Sequence, residues 1–271
     1  MSSGKISSGL GRFLRARSVR HKADLPWGKV LYFDPERDAY IKASSSSKGM
    51  ALIRAEATGL ELLGPLLGNA VQLPTGEVLR DEPDGIALSL SRVVGTPISK
   101  WARPAVSLSP LLAHSSRVMS LSDLLTLDPV PPLLRQKLIA QFGNPDVTVS
   151  TSHGDYIYWN VLVGAGRAAL VDFEYVRPNR ILGFDDLHYQ LAPWMIRWMR
   201  WGLPFPAFRR VGLVKARSIC RELDLPCSPE LLLALFFVHW AGIQRQWHPD
   251  FQPRRVELVE RWAARIMPSR P

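Results

Sequence analysis

The stretch from residue 146 to residue 174 alternates short apolar runs with polar residues at fixed spacings, and it limits the possible folds more than any other part of the chain. Its apolar and β-branched composition predicts three short strands, at 147–150, 161–163 and 168–171. The Gly-Ala-Gly-Arg segment at 164–167 predicts a turn that joins the last two strands into a hairpin. Such a hairpin places Asn160 at the start of one strand and Asp172 at the end of the other, so that both side chains can face one point.

Three polar residues accompany these strands: an aspartate, an asparagine five positions later and a second aspartate twelve positions after that, namely Asp155, Asn160 and Asp172. Mg²⁺ prefers hard oxygen ligands, usually one or two carboxylates together with phosphate oxygens. Asn160 and Asp172 supply two such ligands, and Asp155 remains to take or orient the proton of an acceptor hydroxyl. Because each residue alone is common in turns, the hypothesis of phosphoryl transfer depends on the joint spacing and the flanking strands.

At these residues the sequence resembles the aminoglycoside phosphotransferase and choline kinase family of small-molecule kinases, which are relatives of the protein kinases. The family hallmark is H-G-D-x-x-x-x-N, a short hairpin and then D-[FW]-[ED], which correspond here to residues 153–155, Asn160 and residues 172–174. The resemblance implies that Asp155 is the catalytic base and that Asn160 and Asp172 bind Mg²⁺. It also implies that His153 is structural, although a histidine beside two carboxylates is also compatible with a base or a metal ligand.

The segment between Asp155 and Asn160 departs from the family. Its members usually carry Leu-His-Pro-Gly or a similar sequence, whereas this chain has Tyr-Ile-Tyr-Trp at 156–159. The aromatic residues keep the spacing and are expected to change the floor of the acceptor pocket. The departure therefore concerns the identity of the substrate more than the chemistry.

The region before this motif predicts a small lobe. Residues 29–43 alternate as two strands around a turn that contains proline, and residues 50–63 have the apolar periodicity of a helix. Lys42 lies near the end of the second strand, where the kinase fold has its phosphate-binding lysine, and Glu56 lies in a helix segment that resembles a family signature. We expect a Lys42–Glu56 ion pair that holds the ammonium group towards the α- and β-phosphates of ATP. The alternative is that both are ordinary exposed charges.

The loop expected to cover the phosphates is atypical. Residues 24–29 contain a single glycine where the family often has a Gly- or Ser-rich turn, and no strand is evident before them. Lys29 either contributes to nucleotide binding or is incidental. Residues 85–98 resemble the last strand and the hinge of the lobe, where backbone groups near Ser91 and Val93 would hydrogen-bond adenine.

The chain beyond residue 99 is predicted to be mostly helical, with helices at 110–127, 132–142, 231–240 and 256–266. Asp186, in Gly-Phe-Asp-Asp-Leu, resembles the family aspartate that braces the catalytic loop by hydrogen bonds, and Asp185 is the next candidate for that role. An alternative role for Asp186 is that of a helix cap. Trp194, Trp198 and Trp201 share one helix face, which favours a core position over a membrane-surface or stacking site.

The net charge of +10 comes partly from the N-terminus, where basic residues and serines precede the first acid, Asp24. This composition predicts a flexible basic tail over residues 1–24, with an organelle transit peptide as the alternative. A basic surface suits anionic partners, but the sequence has no nucleic-acid-binding motif. We expect a cytoplasmic protein, since no signal peptide or transmembrane run is evident and two cysteines fit a reducing compartment.

Together these patterns predict an α+β, protein-kinase-like, two-lobed fold with a small β-rich N-terminal lobe and a larger helical C-terminal lobe. The predicted divisions are a tail at 1–24, a nucleotide-binding lobe at 25–98 and a catalytic and substrate lobe at 99–271.

The resemblance implies an ATP- and Mg²⁺-dependent phosphotransferase acting on a hydroxyl of a small molecule, either sugar-like or an amino alcohol. The few clustered acids of the C-terminal half favour a neutral or anionic acceptor. The alternatives are a nucleotide-binding pseudokinase or scaffold and a metal-dependent hydrolase that uses His153, Asp155 and Asp172.

Overall fold

The computed structural model describes residues 6–68, 70–100, 102–127, 130–164, 166–201, 205–247 and 253–266, without the side chains of residues 198–201, 247, 253–256 and 258. The predicted core position of Trp198 and Trp201 therefore lies outside the described side chains. Within these ranges, none of the helices combines the length and the apolar character needed to span a bilayer.

The chain contains a series of short strands in its first two thirds and long helices towards its end. The strands are β1 (Arg20–Leu25), β2 (Lys29–Asp34), β3 (Ala39–Ser44), β4 (Gly76–Glu82), β5 (Gly85–Ser91), β6 (Thr96–Pro97), β7 (Arg117–Ser120), β8 (Asp146–Ser152), β9 (Val161–Gly164), β10 (Arg167–Leu170) and β11 (Arg177–Ile181). The helices are α1 (Ser8–Arg15), α2 (Ser47–Leu67), α3 (Leu108–Ala113), α4 (Leu121–Leu127), α5 (Pro132–Phe142), α6 (Phe184–Trp201), α7 (Phe205–Glu222), α8 (Pro229–Trp247) and α9 (Pro253–Ile266).

The chain divides into two compact units. Unit 1 consists of Met1–Ile98 and Trp159–Val176, and unit 2 of Ser99–Tyr158 and Arg177–Pro271. Unit 2 begins directly after residue 98, and the β9–β10 hairpin lies in unit 1. The hairpin belongs to unit 1 because the N–H of Gln72 donates to the carbonyl of Ala168 (2.9 Å), and β9 pairs with β6.

Unit 1 is built on an antiparallel sheet of strand order β1-β2-β3-β5-β4. Because side chains alternate along a strand, β3 directs Ile41 and Ala43 to the face covered by α1, and Lys42 to the opposite face. On that opposite face, Met50 and Ile53 of α2 pack against apolar residues of β5. The sheet therefore has an apolar cluster on each side, and Lys42 lies on the side of α2.

Residues 8–24 correct the prediction of a flexible basic tail. They form α1 and β1, and Leu10 and Leu14 of α1 are buried against Ile41, Ala43 and Ala87. Strand β1, which no sequence signal indicated, pairs antiparallel with β2. The basic composition favours a flexible tail, but the segment forms an amphipathic helix. Its two leucines occur four positions apart and so lie on one helix face.

Helix α2 begins at a serine cap and is longer than the predicted 50–63. The hydroxyl oxygen of Ser46 accepts a hydrogen bond from the N–H of Gly49 (3.1 Å), which satisfies one of the free N–H groups at the helix start. The helix ends before Gly68, whose φ of 50° is readily available to glycine. Glu56 lies near the middle of this helix and is fully buried.

Unit 2 contains a small sheet of order β11-β8-β7 and most of the helices. The single helix predicted at 110–127 is wrong, because the strand β7 separates α3 from α4. The hydroxyls of Ser115 and Ser116 bond the carbonyls of Leu112 and Ala113 (3.0 and 2.7 Å), and so compete with continuation of α3. The other predicted helices lie within α5, α8 and α9.

Candidate active site

A buried cluster of charged side chains lies in unit 1 between β3, α2 and the segment that follows β10. The Nζ of Lys42 is 2.8 Å from a carboxylate oxygen of Glu56 and 2.8 Å from Oδ1 of Asp172. The ion pair between Lys42 and Glu56 that we expected from the sequence is therefore formed. It forms because the side chain of Lys42 lies on the face of the sheet that α2 covers, and Glu56 belongs to α2.

Glu174 adds a third carboxylate to this cluster. Its Oε1 is 3.5 Å from the Nζ of Lys42, and it also accepts a hydrogen bond from the Nζ of Lys29. Lys29 and Glu174 are both almost completely buried. Sequence reasoning did not find this contact, since the two residues are 145 positions apart and no local spacing relates them.

The electrostatics of the cluster follow from burial and mutual attraction. Burial alone would lower the pKa of Lys42, but the carboxylates of Glu56, Asp172 and Glu174 raise this pKa well above its ordinary value. Burial raises the pKa of Glu56 to about 7, against the opposing effect of Lys42. Lys42 is therefore firmly cationic.

The β9–β10 hairpin sets the position of Asn160 and Asp172 as the sequence predicted. The carbonyl of Asn160 accepts a hydrogen bond from the N–H of Val171 (3.1 Å), so that both residues lie at the same end of the hairpin. Asp172 has a φ of 69°, a left-handed conformation that aspartate tolerates better than most residues. Its side chain is about one third exposed (34%).

The oxygen donors of this hairpin end fit a divalent cation. Asp172 supplies a partly exposed carboxylate and Asn160 an amide, both of which are hard ligands. Carboxylate oxygens of Glu56, Asp172 and Glu174 also lie within 4.8 Å of one another. Glu56 and Glu174 are almost completely buried, whereas the carboxylate of Asp172 is partly exposed, so the pair Asn160 and Asp172 is the better candidate for holding Mg²⁺.

The segment predicted to contact adenine begins at the end of β5. Ser91 is the last residue of that strand, and its N–H donates to the carbonyl of Thr75 (2.9 Å). This N–H group is therefore already engaged, and the assignment of Ser91 as an adenine contact stays a prediction. Val93 lies in the irregular residues 92–95, and its assignment as an adenine contact stays a prediction.

In unit 2, the segment that carries Asp155 is held by a buried carboxylate. The N–H groups of His153 and Gly154 donate to the two carboxylate oxygens of Asp185, at 2.8 and 3.0 Å. The sequence favours Asp186 for this bracing role, with Asp185 as the next candidate, whereas in the structure the bonds are made to Asp185. Nothing in the sequence distinguishes two adjacent aspartates at the start of a helix.

Asp186 has a different function in the fold. Its carboxylate accepts hydrogen bonds from the N–H groups of Leu108 (3.2 Å) and Ser109 (2.9 Å), at the start of α3. It therefore caps a helix, but that helix is α3 and not its own helix α6.

Burial raises the pKa of Asp185 to about 7, while the bonds from His153 and Gly154 oppose this shift.

The four residues after Asp155 do not share one environment. Tyr156 and Ile157 are buried, and the ring of Tyr156 lies 5.2 Å from that of Tyr189 between centroids. The hydroxyl of Tyr156 donates to the carbonyl of Val106. The sequence led us to expect Tyr156 in the floor of the acceptor pocket, but in the structure it is a core residue. Asp155 itself is partly exposed and His153 is fully buried, and the structural role of that histidine stays a prediction.

Unit 2 also contains a cleft of about 460 Å³ between α6, α7 and residues 100 and 102–107. Lys100, Arg103 and Lys215 contribute three positive charges to its lining, against the negative charges of Asp186 and Glu222. Asp186 is engaged in capping α3, and Glu222 accepts a hydrogen bond from Ser218 (2.8 Å). With three positive and two negative side chains, the lining has a net excess of one positive charge.

No protein-family model matches this chain, and no curated protein sequence matches it. Solved structures do match. Aminoglycoside phosphotransferase APH(4)-Ia, as a thermostable mutant with ADP and hygromycin B, matches with a TM-score of 0.58 and 13% identity, covering 96% of this chain and 98% of that chain.

Two further structures are similar over nearly the whole chain. Amicoumacin kinase hAmiN, with AMP-PNP, Ca²⁺ and Ami, has a TM-score of 0.51 and 13% identity, with coverage of 96% of this chain and 93% of that chain. The GDP and kanamycin complex of APH(2")-IIIa has a TM-score of 0.51 and 15% identity, with coverage of 96% and 99%. The predicted α+β, protein-kinase-like fold of the small-molecule kinases is therefore confirmed.

Proposed function

We propose that this protein is an ATP- and Mg²⁺-dependent phosphotransferase that transfers the γ-phosphate to a hydroxyl of a small molecule. The observation that carries the proposal is the contact of Lys42 with both Glu56 and Asp172. In the protein-kinase mechanism, a lysine–glutamate pair orients the α- and β-phosphates and an aspartate binds the metal. The nucleotides bound to the similar structures, ADP, AMP-PNP and GDP, support the same reaction class.

Each residue of the proposal has one task. Lys42, held by Glu56, orients the α- and β-phosphates. Asn160 and Asp172 hold Mg²⁺, which offsets the negative charge of the phosphates when it is bound. Asp155 accepts or orients the proton of the acceptor hydroxyl, and Asp185 holds the backbone on which Asp155 depends.

For the acceptor, we propose a neutral or anionic hydroxyl compound such as a sugar. The positively charged lining of the cleft in unit 2 supports this choice, because polycationic aminoglycosides would be repelled by Lys100, Arg103 and Lys215. Efficient phosphorylation of kanamycin-like amines with no phosphorylation of neutral or anionic sugars would refute this part of the proposal.

A nucleotide-binding protein without turnover is the second candidate. It is favoured by the turn Pro26–Gly28, which is only three residues long and has one glycine. The carbonyls of Trp27 and Gly28 accept hydrogen bonds from the hydroxyls of Ser46 and Ser44, at 2.5 and 2.9 Å. Because a phosphate binds to backbone N–H groups and Pro26 has none, this turn of three residues offers a phosphate at most the N–H groups of Trp27 and Gly28.

The test is a measurement of Mg²⁺-dependent ATP binding and ATP turnover by the wild type and Asp172→Ala, with a panel of sugars, amino alcohols and aminoglycosides. We expect binding and acceptor-stimulated turnover in the wild type and loss of turnover in the variant. Binding without turnover for any acceptor would favour the second candidate. Absence of nucleotide binding would exclude both.

A further inference from the structure

The proposed reaction uses one lysine, Lys42, but the cluster contains two. Lys29 is the first residue of β2 and directly follows the turn Pro26–Gly28. Only 5% of its side chain is exposed, and its Nζ donates to Oε1 of Glu174, which is 2% exposed. An ammonium group and a carboxylate taken so completely out of water persist only when they are paired, because each is costly to desolvate alone.

Glu174 lies within reach of both lysines. Its Oε1, which Lys29 contacts, is also 3.5 Å from the Nζ of Lys42. Lys42 is closer to Glu56 and Asp172, at 2.8 Å from each. The five side chains carry two positive and three negative charges, so Lys42 is shared among carboxylates that compete for it.

The removal of Lys29 would change this competition. Glu174 would keep its charge in a buried position, and Lys42 would be the nearest ammonium group among the described residues of the cluster. The 3.5 Å separation is short enough for a small side-chain movement to turn it into a direct ion pair. Lys42 would then move towards Glu174 and away from Glu56 and Asp172.

We propose that Lys29 is a positioning residue that neutralises Glu174 and thereby keeps Lys42 on Glu56 and Asp172. The inference rests on the proposed function, in which Lys42 orients phosphates. Lys29 itself does not touch the nucleotide in this proposal, and its effect on binding passes through Glu174. The role of Lys29 therefore depends on the charge of Glu174. When that charge is also removed, Lys29 is no longer needed.

The test compares ADP and adenosine as ligands, in the presence of Mg²⁺, by isothermal titration calorimetry. The variants are Lys29→Met, Glu174→Gln and the double variant Lys29→Met/Glu174→Gln. Lys22→Met is the matched control, since Lys22 lies on the neighbouring strand β1 and is exposed. Thermal unfolding midpoints of all variants report on folding.

We expect Lys29→Met to weaken ADP binding by roughly tenfold or more and adenosine binding by less than about twofold, because only ADP needs Lys42. In the double variant, ADP affinity should return to within about threefold of the wild type. Lys22→Met should bind both ligands as the wild type does. A role in folding alone would weaken ADP and adenosine binding equally.

Unchanged ADP affinity in a folded Lys29→Met protein would overturn the inference. An equal loss of ADP affinity in the single and double variants would also overturn it and would indicate a direct contact between Lys29 and phosphate. If Lys29→Met does not fold, the double variant decides, because the proposal requires near-wild-type ADP affinity there. Failure of the wild type to bind ADP would instead refute the proposed function.

Discussion

The two units hold their candidate functional residues by different means. In unit 1, charged side chains hold one another: Lys42 contacts Glu56, Asp172 and Glu174, and Lys29 contacts Glu174. In unit 2, the segment before Asp155 is held through its backbone, by the N–H groups of His153 and Gly154 on Asp185.

The difference indicates how each region should respond to substitution. An ion-pair cluster depends on the balance of charges, so a second neutralising change can compensate for the first. A backbone held by a carboxylate depends on two acceptor oxygens in one place, and few other side chains provide them. The following predictions test this contrast, beginning with the largest expected effect.

The largest effect is expected at Asp155, which is proposed to act on the acceptor proton. Asp155→Asn should lower kcat by about 10²–10⁴-fold, the range typical of general bases, because the amide cannot accept the proton. ADP affinity and the free energy of unfolding should stay near those of the wild type. Coupled ADP-release assays and calorimetry provide the measurements. Asp146→Asn, at an exposed aspartate of the same unit, is the control and should retain full turnover.

The next effect separates the two adjacent aspartates. Asp185→Asn replaces one acceptor oxygen with an N–H₂ donor that faces a backbone N–H, so the free energy of unfolding should fall by about 1–3 kcal/mol. Because the segment before Asp155 loses its anchor, kcat should fall by about tenfold as well. Asp186→Asn should destabilise the protein comparably but leave kcat within about threefold, since Asp186 holds α3.

Chemical denaturation and steady-state kinetics of both variants provide these values. The opposite ranking, with the larger loss of kcat in Asp186→Asn, would support Asp186 as the residue that braces the catalytic loop.

A pH dependence of stability should follow from the raised pKa of Asp185. The folded protein holds this proton up to about pH 7, whereas the unfolded chain releases it near the ordinary value of 3.8. The contribution of Asp185 to the free energy of unfolding is thus fully present below pH 3.8. It is lost as the pH rises through 7, and the free energy of unfolding falls by on the order of 2 to 4 kcal/mol. Glu56, with its pKa raised to about 7, changes stability in the same direction.

Urea unfolding between pH 4 and pH 8 measures this slope, and Asp185→Asn isolates the contribution of one carboxyl group. The difference in unfolding free energy between wild type and variant should shrink as the pH rises. A difference that is constant over this range would show that Asp185 is ionised throughout.

The smallest effect is expected at the start of α2. Ser46→Ala removes the cap of Gly49 and the hydrogen bond to the carbonyl of Trp27, so the free energy of unfolding should fall by about 1 kcal/mol. Ser47→Ala is the matched control, since Ser47 is exposed and is the first residue of the same helix. Equal stability of the two variants, measured by urea denaturation, would contradict the cap.

The sequence by itself determined the elements whose signals are local. The hairpin at 161–171, the strands before Lys42 and the helix that carries Glu56 follow from residue periodicity and turn residues. The Lys42–Glu56 pair was also predictable, because strand alternation and helix length restrict where these two side chains lie. Together with the H-G-D-x4-N spacing, these signals were sufficient for the fold class.

Only the tertiary structure decided the contacts between residues far apart in the chain. The buried pair of Lys29 with Glu174, the choice of Asp185 over Asp186, and the burial of Leu10 and Leu14 under a basic segment have no local signature. The physical reason is that such contacts depend on which side chains the folded backbone brings within a few ångströms of each other. Spacing along the sequence reports only the neighbours on one helix or one pair of strands.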